Sequence, residues 1–378
     1  VLSYWEQASL LRYDIIIIGS GIVGLNTAIN LKEQYPGKEI VIFERGILPT
    51  GASTRNAGFA CFGSVSELVD DLRTEPREAL YSLFKRRKNG IDLLRKRLGD
   101  TAIGFRQDGS HELLQEHETD VLDAIDDLNV LLKDLDQNII FSEAHDHIAA
   151  AGLSPAHFRY CIAANTEGSI DTGRMMKALM QLALSKGVII KTGVQVTRFE
   201  EQAGGVRVDA EDPLRGSVIN FNCEKLVICT NAFTGHFFPD MDILPGRGQV
   251  LITRPVEGLR LKGIYHFDKG YYYFRELDGR VLLGGGRNLD FEEERTTQMA
   301  ANNTILEHLI YQLKHAILPG NHFEIDLQWS GIMAFGSSSK TPLLYKHSDR
   351  ISGAFRLGGM GVALGSQLAI DLSRLVSE

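Results

Sequence analysis

A two-domain α/β fold is predicted for these 378 residues on three observations. A β-branched run near the start passes through a glycine turn into a helix. Strand patterns cluster in the second half, apart from that unit. A glycine-rich turn then opens an apolar helix close to residue 378. Length alone favours two domains. Hydrophobic content of 44% and charged content of 23% are ordinary globular values, which exclude disorder and low-complexity scaffolds.

The first element is Tyr13-Asp14-Ile15-Ile16-Ile17-Ile18, apolar without alternation, as expected of a strand buried on both faces. It feeds Gly19-Ser20-Gly21-Ile22-Val23-Gly24. Leu25, Ala28, Ile29 and Leu31 then recur at helical spacing until Pro36-Gly37 stops the helix. A second apolar strand, 39–43, ends at Glu44. Strand, Gly-x-Gly-x-x-Gly turn, helix, strand and acid make a Rossmann-like nucleotide site. Gly19 permits the tight turn, Gly21 lets the backbone approach a pyrophosphate, and Gly24 lets helix and strand pack closely. The amides of Ile22 and Val23 open the helix, where the dipole favours phosphate charge. Glu44 stands 20 residues after Gly24, placed to accept from an adenosine ribose and to disfavour a 2′-phosphate. Arg45, an exposed neighbour, is counted with the cofactor residues.

A classical nicotinamide enzyme would continue in alternating strand and helix. Here residues 49–58 form a loop of small and hydroxyl side chains, suited to wrapping an extended dinucleotide. Ala52, Ser53, Thr54, Asn56, Ala57 and Gly58 are its candidate contacts.

Amphipathic helices are expected over 74–98 and 112–136. Lys85-Arg86-Arg87-Lys88 reads as a solvated helix face, and His145-Asp146-His147 as a polar loop lacking a third metal ligand. A helix from 173 to 185 precedes strands at 188–190 and 195–199, a meander over 206–209 and 218–222, and a buried strand at 225–232. Further strands are expected at 250–253, 271–275, 281–284 and 322–329, with helices over 296–317 and 362–376. The expected domains are 10–84, 150–244 and 331–378 for the nucleotide, and 85–149 with 245–330, an α+β unit with a mixed or antiparallel sheet, for the substrate.

Forty basic against 48 acidic residues give a net charge of −8, which argues against a general nucleic-acid binder. Four scattered cysteines without a CxxC pair exclude a disulfide framework and a zinc site. No run is long enough for a membrane span, and Tyr4-Trp5-Glu6-Gln7 lacks the pattern of a signal peptide. A reduced, cytoplasmic protein is the expectation.

Four blocks resemble the family of D-amino-acid oxidase, glycine oxidase and sarcosine oxidase, the DAO family of FAD-dependent oxidoreductases. They are the 19–24 fingerprint with Glu44, the GASTRNAG stretch at 51–58, residues 168–199, and Gly358-Gly359-Met360-Gly361-Val362-Ala363-Leu364-Gly365. The resemblance implies oxidation of a C–N bond of a small amine or amino acid by hydride transfer to flavin N5. The imine is then hydrolysed, and electrons pass to O2 or another acceptor. It adds Val196, Cys229, Thr230, Gly331, Gly359, Met360, Gly361, Val362 and Ala363 to the cofactor residues. The family usually has Ala-Gly where Thr230-Asn231 stand here. The positive end of the C-terminal helix would stabilise reduced flavin.

No cysteine stands near Trp329 and no histidine at Asn56, the places where relatives attach flavin covalently, so FAD is expected to be non-covalent. No acid or base residue is assigned to catalysis, because the cofactor carries the hard chemistry. Met333 sits where glycine oxidase-like members place an arginine for the substrate carboxylate. Tyr271, Tyr273 and Arg275 share one face of a strand and are substrate candidates together with Met333 and Arg55. Arg275 could bind a carboxylate bidentately or form a surface ion pair with Glu276 or Asp278. Lys340, His266 and Cys61 are weaker candidates. The alternatives are a 2-hydroxy-acid or polyol dehydrogenase feeding a quinone, a tRNA-modifying oxidase, and a non-catalytic FAD-binding protein.

Overall fold

The computed structural model describes residues 2–136 and 139–378. Its chain divides into two compact units, Val1–Thr54 with Gly173–Pro245 and Met333–Glu378, and Arg55–Thr172 with Gly246–Ile332. The chain therefore passes from one unit to the other four times.

The first unit is built on the isoleucine run. The strand Arg12–Ile18 lies between two parallel partners, with Ile18 opposite Phe43 of Ile40–Glu44 on one side and opposite Ile228 of Ser217–Ile228 on the other. Ile15, Ile16, Ile17 and Ile18 are all buried, which is why the run shows no alternation. Parallel strands Ile189–Thr192 and Ile351–Phe355 extend the sheet, and Leu343–Lys346 closes one edge antiparallel. The meander Val196–Gln202, Gly205–Asp212, Ser217–Ile228 is antiparallel. Its last strand is continuous into the parallel sheet, so the expected strands 218–222 and 225–232 are one element, ending at Ile228 before a 3-10 turn at Asn231–His236. Helix Gly361–Ser377 packs on helix Ile22–Gln34, where a Cβ on Gly365 would collide with Ile22 Cγ2.

The second unit holds an eight-stranded sheet in the order Ile325–Phe335, Leu244–Thr253, Arg280–Gly285, Tyr272–Leu277, Ile264–Phe267, Ser110–Leu114, Tyr160–Ala164, Ser142–Glu143. The first two strands each run past a unit boundary. Pairing is antiparallel from Tyr272–Leu277 to both of its neighbours, while Ile264–Phe267 pairs parallel with Ser110–Leu114. Tyr265, Phe274 and Leu283 of this sheet share a core with Leu309 and Leu313.

Several expectations need correction. Residues 112–136 are not one helix: Ser110–Leu114 is a strand, Glu116–Ala124 a 3-10 stretch, and only Ile125–Leu132 is α-helical. Ser110–Leu114 is buried on both faces, so its leucines carry no period-2 signal. The 296–317 helix starts at Asn303, where the Asn302 side chain caps the Ile305 amide, and it ends in a π turn at Leu313–Ile317. The strand expected at 322–329 is Ile325–Phe335. Arg87 is not on a solvated face but 2% exposed, donating to the Phe62 carbonyl at 2.8 Å and to Glu67 at 3.1 Å. His147 lies in the short helix Asp146–Ala151, with its ring stacked 3.7 Å from that of His111.

Candidate cofactor and substrate sites

In the first unit the glycine turn is shaped by what surrounds it. Gly19 has φ +103, and a Cβ there would stand 2.7 Å from the Cys229 carbonyl oxygen. A Cβ on Gly24 would collide with the Gly19 carbonyl oxygen, so the helix reaches the strand only because residue 24 has no side chain. Helix Ile22–Gln34 has Gly21 as N-cap without a capping side chain of its own. Ser53, from the short helix Ala52–Arg55, supplies the acceptor instead, taking the Ile22 amide at 3.0 Å. Thr54 anchors the same loop by donating to the Pro49 carbonyl at 2.5 Å. The result is a helix N-terminus with its dipole and backbone amides facing an open glycine turn, which suits phosphate charge.

Glu44 closes the site at the end of its strand. Its Oε2 accepts from the Ser20 amide at 3.1 Å and the Ser20 hydroxyl at 2.7 Å, and its Oε1 accepts from the Gly46 amide at 3.0 Å. The carboxylate is thus oriented by the residue between the first two glycines, a link that the spacing alone does not reveal. Arg45 spends its guanidinium stacking 3.7 Å over the Phe233 ring. Val196 is buried at the start of the meander. Burial pushes the Cys229 thiol well above its usual range, so it is a packing residue rather than a nucleophile.

At Thr230-Asn231 the Thr230 hydroxyl is 2.8 Å from that of Thr234. Asn231 adopts φ +44, the left-handed region that glycine or asparagine best tolerates, and its Oδ1 accepts the Arg356 amide at 3.0 Å. Arg356 is itself left-handed at φ +64, held by Asp242 at 2.7 Å and the Thr341 carbonyl at 2.9 Å. These two strained residues fix the chain just ahead of Gly358-Gly359. The Gly358 amide donates to the Ala334 carbonyl at 2.8 Å, and Met360 caps helix Gly361–Ser377 with no capping side chain. Val362 and Ala363 are buried, while a Cβ on Gly361 would meet nothing within 4 Å. Met333 lies against this turn, with its sulfur 3.4 Å from where a Gly359 Cβ would stand.

In the second unit Arg55 donates to the Ser330 carbonyl at 2.9 Å, its own carbonyl accepts from the Trp329 indole at 3.0 Å, and Gly331 packs beside its Cβ. Asn56 Oδ1 accepts the Gly58 amide at 2.8 Å and the Thr172 hydroxyl at 2.9 Å. Tyr273 lies across Gly284 and edge-on to Phe59, with ring centroids 5.8 Å apart, and Trp329 packs on the same cluster around Ala57. Tyr271 sits edge-on to Phe291. His266 is buried beside Ser110, and burial pushes its pKa down to about 4. Lys340 is exposed.

Arg275 corrects its expected partners. It is 3% exposed, and its Nη1 donates to the carbonyls of Ile170 at 2.8 Å, Gly58 at 2.9 Å and Ala57 at 3.4 Å. Its Nε donates to the Glu276 carbonyl at 3.2 Å. There is no surface ion pair to Asp278, and a bidentate carboxylate would have to displace these main-chain oxygens. Burial, with Arg106 nearby, pushes its pKa down to about 10. The charge survives at neutral pH.

Of the segment 61–67, the sequence offers only Cys61, as a weaker candidate, and the structure shows how the segment is held. Glu167 accepts the Phe62 amide at 2.5 Å, Glu112 accepts the Ser66 amide at 3.2 Å and the Ser66 hydroxyl, and Arg87 holds the Phe62 carbonyl. Burial pushes both Glu112 and Glu167 up to about 7. Among the described residues no group of three His, Cys, Asp or Glu side chains could hold a metal ion, and no helix is long and apolar enough to cross a membrane.

A parallel sheet with a glycine turn, a helix N-terminus whose N-cap glycine brings no side chain of its own, and a carboxylate fixed at the next strand end define a dinucleotide-dependent oxidoreductase. Comparison with known proteins makes this specific: residues 14–375 match the DAO family, described as FAD dependent oxidoreductase, and the chain belongs to that family. Glycine oxidase of Bacillus licheniformis is 26% identical over 380 residues, covering 96% of this chain and 93% of that protein. The fold matches L-proline dehydrogenase from P. horikoshii with a TM-score of 0.77 at 16% identity, covering 97% and 94% of the two chains. It also matches glycine oxidase from Geobacillus kaustophilus with a TM-score of 0.76 at 21% identity, covering 97% and 95%.

Proposed function

We propose that the protein oxidises a carbon–nitrogen bond of a small amine or amino acid, using FAD held without a covalent link. The observation that carries this is the first unit's cradle, in which side chains at residues 19 and 24 would fill the space the turn needs, while Ser20 and Ser53 orient Glu44 and the helix start. That unit is read as the cofactor domain, with Gly19 to Gly24, Glu44, Arg45, Ala52 to Thr54, Val196, Cys229, Thr230 and Gly359 to Ala363 holding FAD. Asn56, Ala57, Gly58 and Gly331 of the second unit, read as the substrate domain, are assigned to the same cofactor. When bound, FAD supplies the hydride acceptor for the reaction. The protein's own share is to orient the cofactor and substrate and to place the helix Gly361–Ser377 with its positive end toward developing negative charge.

Names of relatives support an amine or amino-acid substrate, since glycine oxidases recur among them. The thioether of Met333 against Gly359 makes the surface there apolar, which favours a substrate that need not be a simple α-amino acid. A cytoplasmic location and electron transfer to O2 or another acceptor complete the reading.

The test is an anaerobic titration of the FAD-loaded protein with primary amines, N-methyl amino acids, D- and L-amino acids and hydroxy acids, following the visible flavin bands. Bleaching by one amine class is the expected result, and readmitting air separates oxidase from dehydrogenase. Bleaching by hydroxy acids alone would overturn the assignment of the bond.

A further inference from the structure

We propose that Arg275 is a positioning residue for the cofactor, fixing the turn Ala57-Gly58 by presenting one guanidinium nitrogen to its two carbonyls and to that of Ile170. The inference rests on the reading above, in which residues 56–58 meet FAD. Its own support is the bonding pattern. A buried cation is ordinarily paired with a carboxylate, yet among the described residues the hydrogen bonds of Arg275 run to main-chain carbonyls, three of them from Nη1. Carbonyls turned onto a guanidinium leave the amides on the opposite side of the peptide planes. Gly58 has φ +73, and a Cβ there would collide with the Ile170 carbonyl oxygen and stand 2.8 Å from Arg275 Nη1. Glycine and arginine are therefore fitted to each other. On the other side, Asn56 Oδ1 holds the Gly58 amide and the Thr172 hydroxyl. The turn is thus pinned from strand Tyr272–Leu277 by a charge and from its own start by an amide.

The connection to the nucleotide site is covalent. Ser53, whose hydroxyl takes the first amide of helix Ile22–Gln34, is five residues before Gly58. A chain of that length reaches at most about 18 Å. Lysine cannot replace arginine here, because an ammonium on a flexible stem lacks the planar fork that meets several carbonyls at once.

The experiment measures FAD affinity of the apoprotein by quenching of flavin fluorescence, for the wild type, R275K, R275M and R275A, alongside thermal melts of each apoprotein. R275K and R275M should bind FAD about tenfold or more weakly, the scale of one or two lost charge-assisted hydrogen bonds. Added methylguanidinium should restore much of the affinity of R275A, a recovery that a merely structural loss would not show. Where R275M and R275A fail to fold, R275K decides, because it keeps the charge and the stem. Wild-type affinity in R275K, or weak binding in R275A that methylguanidinium leaves unchanged, overturns the positioning role while leaving the FAD reading intact. A wild-type protein that takes up no FAD overturns both.

Discussion

Asn231 shows how a single departure from a family pattern is accommodated. Its φ of +44 is a glycine-like conformation, and its side-chain oxygen takes the amide of Arg356, itself at φ +64. Alanine there would lose the hydrogen bond and add left-handed strain, costing about 1–2 kcal/mol. Glycine would lose the bond but relieve the backbone. Urea unfolding should therefore rank wild type above N231G and N231G above N231A. Equal midpoints for the two variants would show that the backbone conformation is not under strain. The residues legible in the sequence were those whose spacing is imposed by the ligand: Gly19, Gly21, Gly24 and Glu44. Arg275 was not legible, because nothing in a strand pattern distinguishes a charge that reaches solvent from one that turns inward onto carbonyls.

At the scale of elements, segment 61–67 in the second unit is held by the buried side chains of Glu112, Glu167 and Arg87 rather than by a ladder. Glu112 and Glu167 titrate near 7 in the fold against 4.5 otherwise. A raised folded pKa means stability that is complete below about 4.5 and is lost as pH rises through about 7, on the order of 3 kcal/mol for each acid. His111 and His266 act in the opposite sense. Burial lowers them to about 3 and about 4 from 6.5, so their contribution is present above 6.5 and is lost as pH falls through those values. The two sets offset each other over the weakly acid range. Wild-type stability should be nearly flat between about pH 4.5 and 6.5 and fall between about pH 4.5 and 3. E167Q should remove part of the loss between about pH 4.5 and 7 and leave the acid limb unchanged. Chemical denaturation from about pH 3 to 8 checks both limbs, and an E167Q profile parallel to the wild type would sink the assignment. Elements with a single buried stripe, such as Thr172–Ser185, were legible, while Ser110–Leu114 was not, because burial on both faces erases the period that separates strand from helix.

For the whole molecule, the parallel sheet was readable because its strands are unbroken β-branched runs, Arg12–Ile18 and Ile40–Glu44 above all. The second unit was readable only as a cluster of strands, since its order joins Ile264–Phe267 to a strand some 150 residues earlier, and no local pattern encodes that pairing. A ligand that binds only the folded chain stabilises it by mass action. The melting temperature should therefore rise with the logarithm of free FAD concentration and should fall when the cofactor is stripped. A melting point that ignores FAD over about a hundredfold range would mean that the cradle does not bind it in the native state.

The pairing of Ile18 with Ile228 has a consequence in time. The ribosome adds roughly 5–20 residues each second, so the strand Arg12–Ile18 emerges about 10–40 seconds before Ser217–Ile228, its parallel partner. Ile351–Phe355 comes later still. Throughout that interval Ile40–Glu44 is the one described strand that can pair with the isoleucine run, and the helix Ile22–Gln34 joins the two. The nascent chain is then a sheet with an exposed edge, and the cell's holding chaperones are the natural custodians of that delay.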